Sequence, residues 1–268
     1  MATAGKERTR KTVERAARKA QQEEQERTAG SAKEAAEKRI ERLRQRSGLR
    51  RFLFANGLSI AAIGLFVFSF VGQVVAGHRT QNEEQRAHAD APVSLGEYLR
   101  SGAFIEATAE NWESEFLQMG LFVLLTAFLY QRGSSESKRI EEPETVDQDP
   151  REARDDPNAP WPVRHGGLPL TLYKHSLSLV LLLLFVISFA FHAMGGAMEY
   201  NEEQRQHGEA PVTVLGYIAT SRFWFESFQN WQSEFFSVGV LVLLSIWLRQ
   251  FGSAQSKPVA AAASETGE

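Results

Sequence analysis

Two side chains able to hold a metal ion recur at helical spacing in this sequence. Glu84 and His88 stand four residues apart, as do Glu203 and His207. On a helix each pair shares one face, and an imidazole nitrogen beside a carboxylate suits a divalent cation. Glu83 and Glu202, with Asp90 or Glu209, would add oxygen ligands. One histidine per pair is a thin ligand set, and no HExxH or three-histidine cluster accompanies it. The competing reading is a histidine ion-paired near a helix C-terminus.

A second group of polar residues lies beside apolar segments. Glu115 and Glu234 each fall within one turn of a tryptophan, Trp112 or Trp231, that opens such a segment. A carboxylate at that depth is costly unless paired or wet, and Arg86 and Arg205 are its candidate partners. It reads either as a proton- or cation-relay group or as a first-turn glutamate favoured by the helix dipole. Gln73 and His192 are polar positions within apolar stretches, and a histidine there can titrate near neutral pH. Gln73, Arg86, Glu115, His192, Arg205 and Glu234 thus form a possible polar membrane-edge site. No nucleophile with triad spacing and no phosphate-binding glycine loop is present, so neither a catalytic residue nor a cofactor is assigned. The absence of cysteine removes thiolate chemistry.

The elements that must position these groups are four apolar segments. The first spans about 53–76; at ~1.5 Å rise per residue it covers ~36 Å, enough for a ~30 Å hydrocarbon core. The others fall at about 112–131, 170–194 and 231–249, the second and fourth each opening at a tryptophan suited to the membrane interface. Four such segments would overfill a soluble core. No Asp, Glu, Lys or Arg occupies the centre of any of them, which argues against a charge-coupled pump.

The chain matches itself without gaps at an offset of 119 residues. NEEQR-x-H at 82–88 falls on 201–207, Ala91-Pro92-Val93 on Ala210-Pro211-Val212, and Asn111-Trp112 on Asn230-Trp231. Between 56–138 and 175–257, 34 of 83 positions are identical, which indicates a duplication. Each copy holds two segments, and an even number of crossings returns the chain to its starting side. The two copies are therefore parallel, related by an axis near the membrane normal.

Charge supplies the orientation. Residues 1–51 carry 16 Lys/Arg against 8 Glu, and the ends of the segments that face this arm are basic. The loops within each copy are acidic: three Arg against eight acids over 77–115, two against six over 197–235. The positive-inside rule then places both termini and the central linker in the cytoplasm and both NEEQR loops outside. After Ser94 or Thr213, each able to cap a helix, the loops carry aromatic residues suited to an interfacial helix.

The fold expected is therefore all-α and integral to the membrane, with four transmembrane helices as two tandem parallel two-helix repeats and interfacial helices in the outer loops. Its parts are a charged helical cytoplasmic arm (1–51), repeat 1 (52–138), a disordered acidic linker (139–167), repeat 2 (168–257) and a disordered tail (258–268). The arm's apolar residues are too sparse for a coiled-coil seam. It reads as a solvated helix, with anionic lipid a possible partner at Lys38–Arg51. Interleaved glutamates and the lack of an aromatic platform argue against nucleic acid.

NGLSI at 56–60, NEEQR at 82–86, ENWESEFLQMG at 110–120 and RGSSESK at 132–138 resemble an uncharacterised family of bacterial multi-pass membrane proteins, a domain of unknown function. The resemblance covers about residues 50–257. The second copy departs from it at His175 for Asn56, Gln232 for Glu113, and Ser237-Val238 for Gln118-Met119. The resemblance implies a bacterial inner-membrane location and supplies no catalytic residue, cofactor or substrate. The function expected is a non-enzymatic envelope or membrane structural or interaction module, able to form a homo-oligomer in the lipid bilayer. A small transporter or channel component is the alternative, and a membrane enzyme or metal-binding protein the third.

Overall fold

A computed structural model describes residues 48–88, 90–140 and 143–267, with the isolated positions 34, 37, 38 and 41. The arm expected over 1–51 therefore lies mostly outside the described residues; within it, Lys38 pairs with Glu34 at 2.5 Å. The described residues are helical and include no strand. The helices are α1 (Gly48–Ala55), α2 (Gly57–Ala87), α3 (Leu95–Tyr98), α4 (Gly102–Phe128), α5 (Trp161–His165), α6 (Gly167–Lys174), α7 (Ser176–Gln206), α8 (Val214–Ile218) and α9 (Ser221–Leu244). Two of them, α2 and α7, are long and apolar enough to cross a membrane. The chain divides into two compact units, Met1–Gln73 and Val74–Glu268, with the boundary inside α2.

The 31-residue helices α2 and α7 continue past their apolar stretches through NEEQR. That motif is thus the polar last turns of a long helix. Asn82 and Asn201 then perform one task at positions 119 apart. Each accepts a hydrogen bond from the backbone N–H of Val93 or Val212 (2.7 Å in both) and donates to the same residue's carbonyl (3.2 and 2.9 Å). This clamp holds the Pro-Val turn against the helix and satisfies backbone groups that have no helical partner.

Next come two short capped helices. Ser94 caps α3 with a capping box closed by Glu97, and Thr213 caps α8. Neither helix continues. Ser101 and Thr220 start α4 and α9 with second side-chain caps, accepting from Phe104 and Phe223 N–H. The single re-entering helix expected after each first cap is therefore two helices with a break between them.

Within the second unit the principal packing is α4 against α7, with α9 against α4 and α8 against α7. Gly102 lies beside Gly195 and Glu199, and Gly120 beside Leu181 and Leu182, so α4 and α7 run antiparallel. The helices nearly touch at Gly195, where a Cβ would stand 2.5 Å from the Glu106 backbone nitrogen. Small residues permit such an approach, in the manner of membrane helix pairs.

The faces are inverted relative to a water-soluble bundle. Between the helices lie Glu113, Ser114, Ser178, Ser188 and His192, all buried. Outward point Leu177, Leu179, Val180, Leu183, Val186, Ile187 and Phe191 of α7, with Phe236, Leu241, Leu243 and Leu244 of α9. A small apolar core (Ala193, Ala197, Tyr217 and Phe223) seats α8 and the start of α9 on α7.

The acidic segment after α4 carries 3-10 turns at Thr145–Asp147 and Pro150–Ala153, then α5. The C-terminal residues fold onto the turn that follows α4. Gly267 N–H donates to Ser134 O, and Thr266 Oγ1 accepts from Gly133 N–H. The buried Lys257 ammonium donates to the carbonyls of Ala262, Ala263 and Glu265.

Candidate functional site

A buried polar cluster occupies the end of the bundle that carries α8. Helix α4 contributes Glu106, Glu110 and Glu113, on one face because they are spaced three and four apart. Helix α7 contributes His192, and α9 contributes Arg222, Glu226 and Trp231, again at helical spacing. Tyr217 enters from α8, whose Thr213 cap fixes where it starts.

Glu113 is fully buried and accepts two hydrogen bonds, from His192 Nδ1 at 2.7 Å and from Trp231 Nε1 at 2.9 Å. Because a carboxylate only accepts, the first contact places a proton on Nδ1 and fixes how the ring presents its other nitrogen. The imidazole stacks on Phe223 with centroids 4.8 Å apart. Its Nε2, fully buried, makes no hydrogen bond; it points toward Glu226, whose Oε2 lies 3.5 Å away.

Tyr217 bridges two carboxylates. Its hydroxyl is 2.5 Å from Glu226 Oε2 and 3.1 Å from Glu106 Oε1. One hydroxyl hydrogen cannot serve both, so the carboxylate that does not receive it depends on another donor or on a proton of its own. The burden falls on Glu106. Burial, then the charge of Glu226, push its carboxyl up to about 7, while Tyr217 and Arg222 pull the other way. Burial also acts on Glu226, but His192, Tyr217 and Arg222 outweigh it and hold that carboxyl down at about 2. Burial and the Glu226 hydrogen bond raise the Tyr217 phenol far above its usual range, so it stays protonated. Arg222 joins Glu226 at 2.9 Å to Glu203 at 2.5 Å and lies over the Tyr200 ring.

Four residues of the cluster, Glu106, Glu110, Arg222 and Glu226, also line an open pocket of about 550 Å³. Six carboxylates line it, those of Glu84, Glu106, Glu110, Glu199, Glu203 and Glu226, against the single cation Arg222. Such a lining focuses a negative potential and concentrates cations.

The residues singled out by sequence are distributed as follows. His192 is at the centre. Glu84 and Glu203 line the pocket, the latter paired to Arg222. His88 is exposed, and His207 is exposed with Nδ1 on the Glu203 carbonyl of its own helix. Arg86 and Arg205 are exposed, Arg205 pairing with Glu202. Glu115 and Glu234 lie within electrostatic reach of each other, away from the buried cluster. Gln73 is half-buried and belongs to the first unit. Sequence reasoning passed over Glu106, Glu113, Tyr217, Arg222 and Glu226.

The repeat contained a signal for the missing residues. At an offset of 119, Glu106 faces Phe225, Glu113 faces Gln232, Glu226 faces Ala107, Arg222 faces Ala103 and His192 faces Gln73. The charged groups of the cluster stand where the copies differ.

The sequence profile of a domain of unknown function, DUF6766, matches residues 49–268. The chain belongs to that family. The DUF6766 match begins at the start of α1 and takes in every element that builds the cluster and pocket. No curated protein and no solved structure matches the chain significantly.

Proposed function

We propose that this DUF6766 protein is a four-span membrane protein that captures cations from the outer face and exchanges them against protons at the buried cluster. Three observations support the membrane reading: the apolar length of α2 and α7, the outward-facing aliphatic side chains and the polar interior; the doubled clamp at Asn82 and Asn201 supports two like copies. In this reading α4 and α9 supply the second and fourth spans. The two copies are parallel, and the acidic pocket opens outside while both termini stay in the cytoplasm of a bacterial cell. The observation that carries the function is the six-carboxylate pocket, two of whose lining residues, Glu106 and Glu226, converge on the buried His192 behind them. Binding and exchange of ions need no nucleophile, so the reading is non-enzymatic.

The chain has no cysteine, which makes the topology directly testable. In intact cells a membrane-impermeant maleimide should label Glu209→Cys, and should label Val146→Cys only after permeabilisation. The reverse pattern would refute the orientation, and equal labelling of both would refute a membrane crossing between them. For the ion reading, purified full-length protein in weakly buffered detergent is titrated with Mg²⁺, Ca²⁺, Mn²⁺, Co²⁺ and Zn²⁺ beside a pH indicator. At least one ion should release protons from the wild type and not from Glu106→Gln. If none does so, the ion reading fails.

A further inference from the structure

We infer that His192 Nε2, Glu106 and Glu226 form a binding site for a divalent transition-metal ion, with Glu113 and Tyr217 as its positioning residues. The inference rests on the cation-capture reading and names the class of ion.

The geometry begins with the histidine. A metal-binding imidazole characteristically gives its other N–H to a carboxylate, which fixes the tautomer and aims the free lone pair. Glu113 does this at 2.7 Å and is itself held by Trp231. The remaining nitrogen is fully buried, makes no hydrogen bond and faces two carboxylates, with Glu226 Oε2 3.5 Å away, where it pairs with that carboxylate if the ring is protonated and can give its lone pair to a metal if it is neutral. A buried nitrogen left in this state costs free energy unless something occupies the space it faces.

The Glu106 carboxyl is under-served in the same place, its hydrogen-bond donor among the described residues being the Tyr217 hydroxyl that it shares with Glu226. Glu226 has Arg222 on Oε1, but its Oε2 and the Glu106 carboxylate share one Tyr217 hydrogen. A cation at their meeting point would answer both deficits. One ligand atom from each of Glu106, His192 and Glu226 lies within 4.8 Å of the other two. Tetrahedral coordination at ~2.0–2.2 Å puts ligand atoms roughly 3.3–3.6 Å apart. The 3.5 Å between His192 Nε2 and Glu226 Oε2 already meets that spacing, and a small side-chain rotation of Glu106 would complete the set.

Ligand type narrows the ion. Calcium takes six to eight oxygens, and magnesium keeps most of its water. One imidazole and two carboxylates suit zinc, iron(II), manganese(II) or cobalt(II) instead. Three protein ligands leave a position for water or the Tyr217 oxygen, so the ion would be exchangeable, as a captured ion must be.

The test uses full-length protein in detergent, stripped with chelator and titrated with Co²⁺ while visible absorption is recorded. One equivalent should produce the d–d bands of a four- or five-coordinate site, and Zn²⁺ should bleach them. Glu106→Gln and His192→Asn should each weaken Co²⁺ binding at least tenfold, while Glu115→Gln, on the same helix as Glu106, should match the wild type. Should His192→Asn not fold, X-ray absorption of the Zn²⁺-loaded wild type decides, since the site requires one imidazole with oxygen ligands. Co²⁺ binding that survives Glu106→Gln, or a zinc shell without imidazole, overturns the assignment. Proton release with Mg²⁺ or Ca²⁺ alone would overturn it too, while leaving cation capture standing. No response to any of the ions removes both.

Discussion

Glu113→Gln changes one atom in kind and tests the centre of the cluster. The wild-type carboxylate serves two donors, His192 Nδ1–H at 2.7 Å and Trp231 Nε1–H at 2.9 Å. A glutamine has one oxygen for them and must turn its NH₂ toward the other, setting donor against donor. A hydrogen bond to a charged group contributes about 1.5–3 kcal/mol, and an unmet buried donor costs about 1–3 kcal/mol. Breaking a buried ion pair outright costs about 3–5 kcal/mol. Glutamine keeps one of the two bonds, and Trp231 is only half-buried, so about 2–4 kcal/mol is expected. For a chain of this size that is a fall of roughly 5–12 °C in thermal midpoint, read by near-ultraviolet circular dichroism of purified protein in detergent. The natural control is Gln232, the exposed counterpart of Glu113 in the other copy. Gln232→Ala should stay within about 0.5 kcal/mol of wild type. If Glu113→Gln unfolds at the wild-type temperature, or shifts no further than Gln232→Ala, the two-donor account of Glu113 is wrong.

Gly195→Ala should destabilise by at least about 1–3 kcal/mol, because its Cβ would press on the Glu106 backbone at 2.5 Å. The same change should weaken Co²⁺ binding, since the strain falls on a ligand's own backbone. Asn201→Ala removes both bonds to Val212; amide exchange at Val212 should accelerate at least tenfold while the absorption of bound Co²⁺ persists. Stability should fall as pH rises from about 5 to 8. Glu106 titrates at about 7 in the folded chain against 4.5 for its usual value, so the folded state holds a proton that the unfolded state has released. The charged and titratable groups facing it are Glu110 on its own helix, His192 on α7, Tyr217 on α8, and Arg222 and Glu226 on α9. The shift corresponds to at most about 3 kcal/mol, and Glu106→Gln should flatten the profile over that interval in chelator-treated protein. Lys257→Met leaves three carbonyls without their donor; the C-terminal tail should then be cut by protease faster than in wild type.

Much of the scaffold was legible because it repeats. A clamp asparagine, a hydroxyl cap and a tryptophan recur at one offset, and each has a local mechanical task that any copy of the unit must perform. The apolar length of α2 and α7 was legible for a similarly local reason, since the property belongs to one continuous stretch. The break between α3 and α4 was missed because Ser101 and Thr220 cap only after a turn that tertiary packing creates. The cluster was missed for a different reason. Glu106 and Glu113 look like ordinary polar residues of an interfacial helix until α7 is laid against them. Nothing within 102–128 says that the partner across the interface is His192.

The self-match at an offset of 119 also shows that the charged groups of the buried cluster come from positions that differ. A buried site with a histidine, its supporting carboxylate and two further carboxylates needs different residues at matched positions. The chain achieves this with three acids on α4 whose counterparts on α9 are Phe225, Gln229 and Gln232, and with Arg222 and Glu226 on α9 whose counterparts on α4 are alanines. Tyr98 and Tyr217 remain the same residue, yet only Tyr217 bridges two carboxylates. Residues that both copies keep thus hold the helices and turns in place, and apart from Glu84 and Glu203 the residues that supply the charge of the cluster and pocket are ones in which the copies differ. In this chain the mismatches of the 119-residue self-alignment point to Glu106, Glu113, His192, Arg222 and Glu226, while the matches point to the clamps.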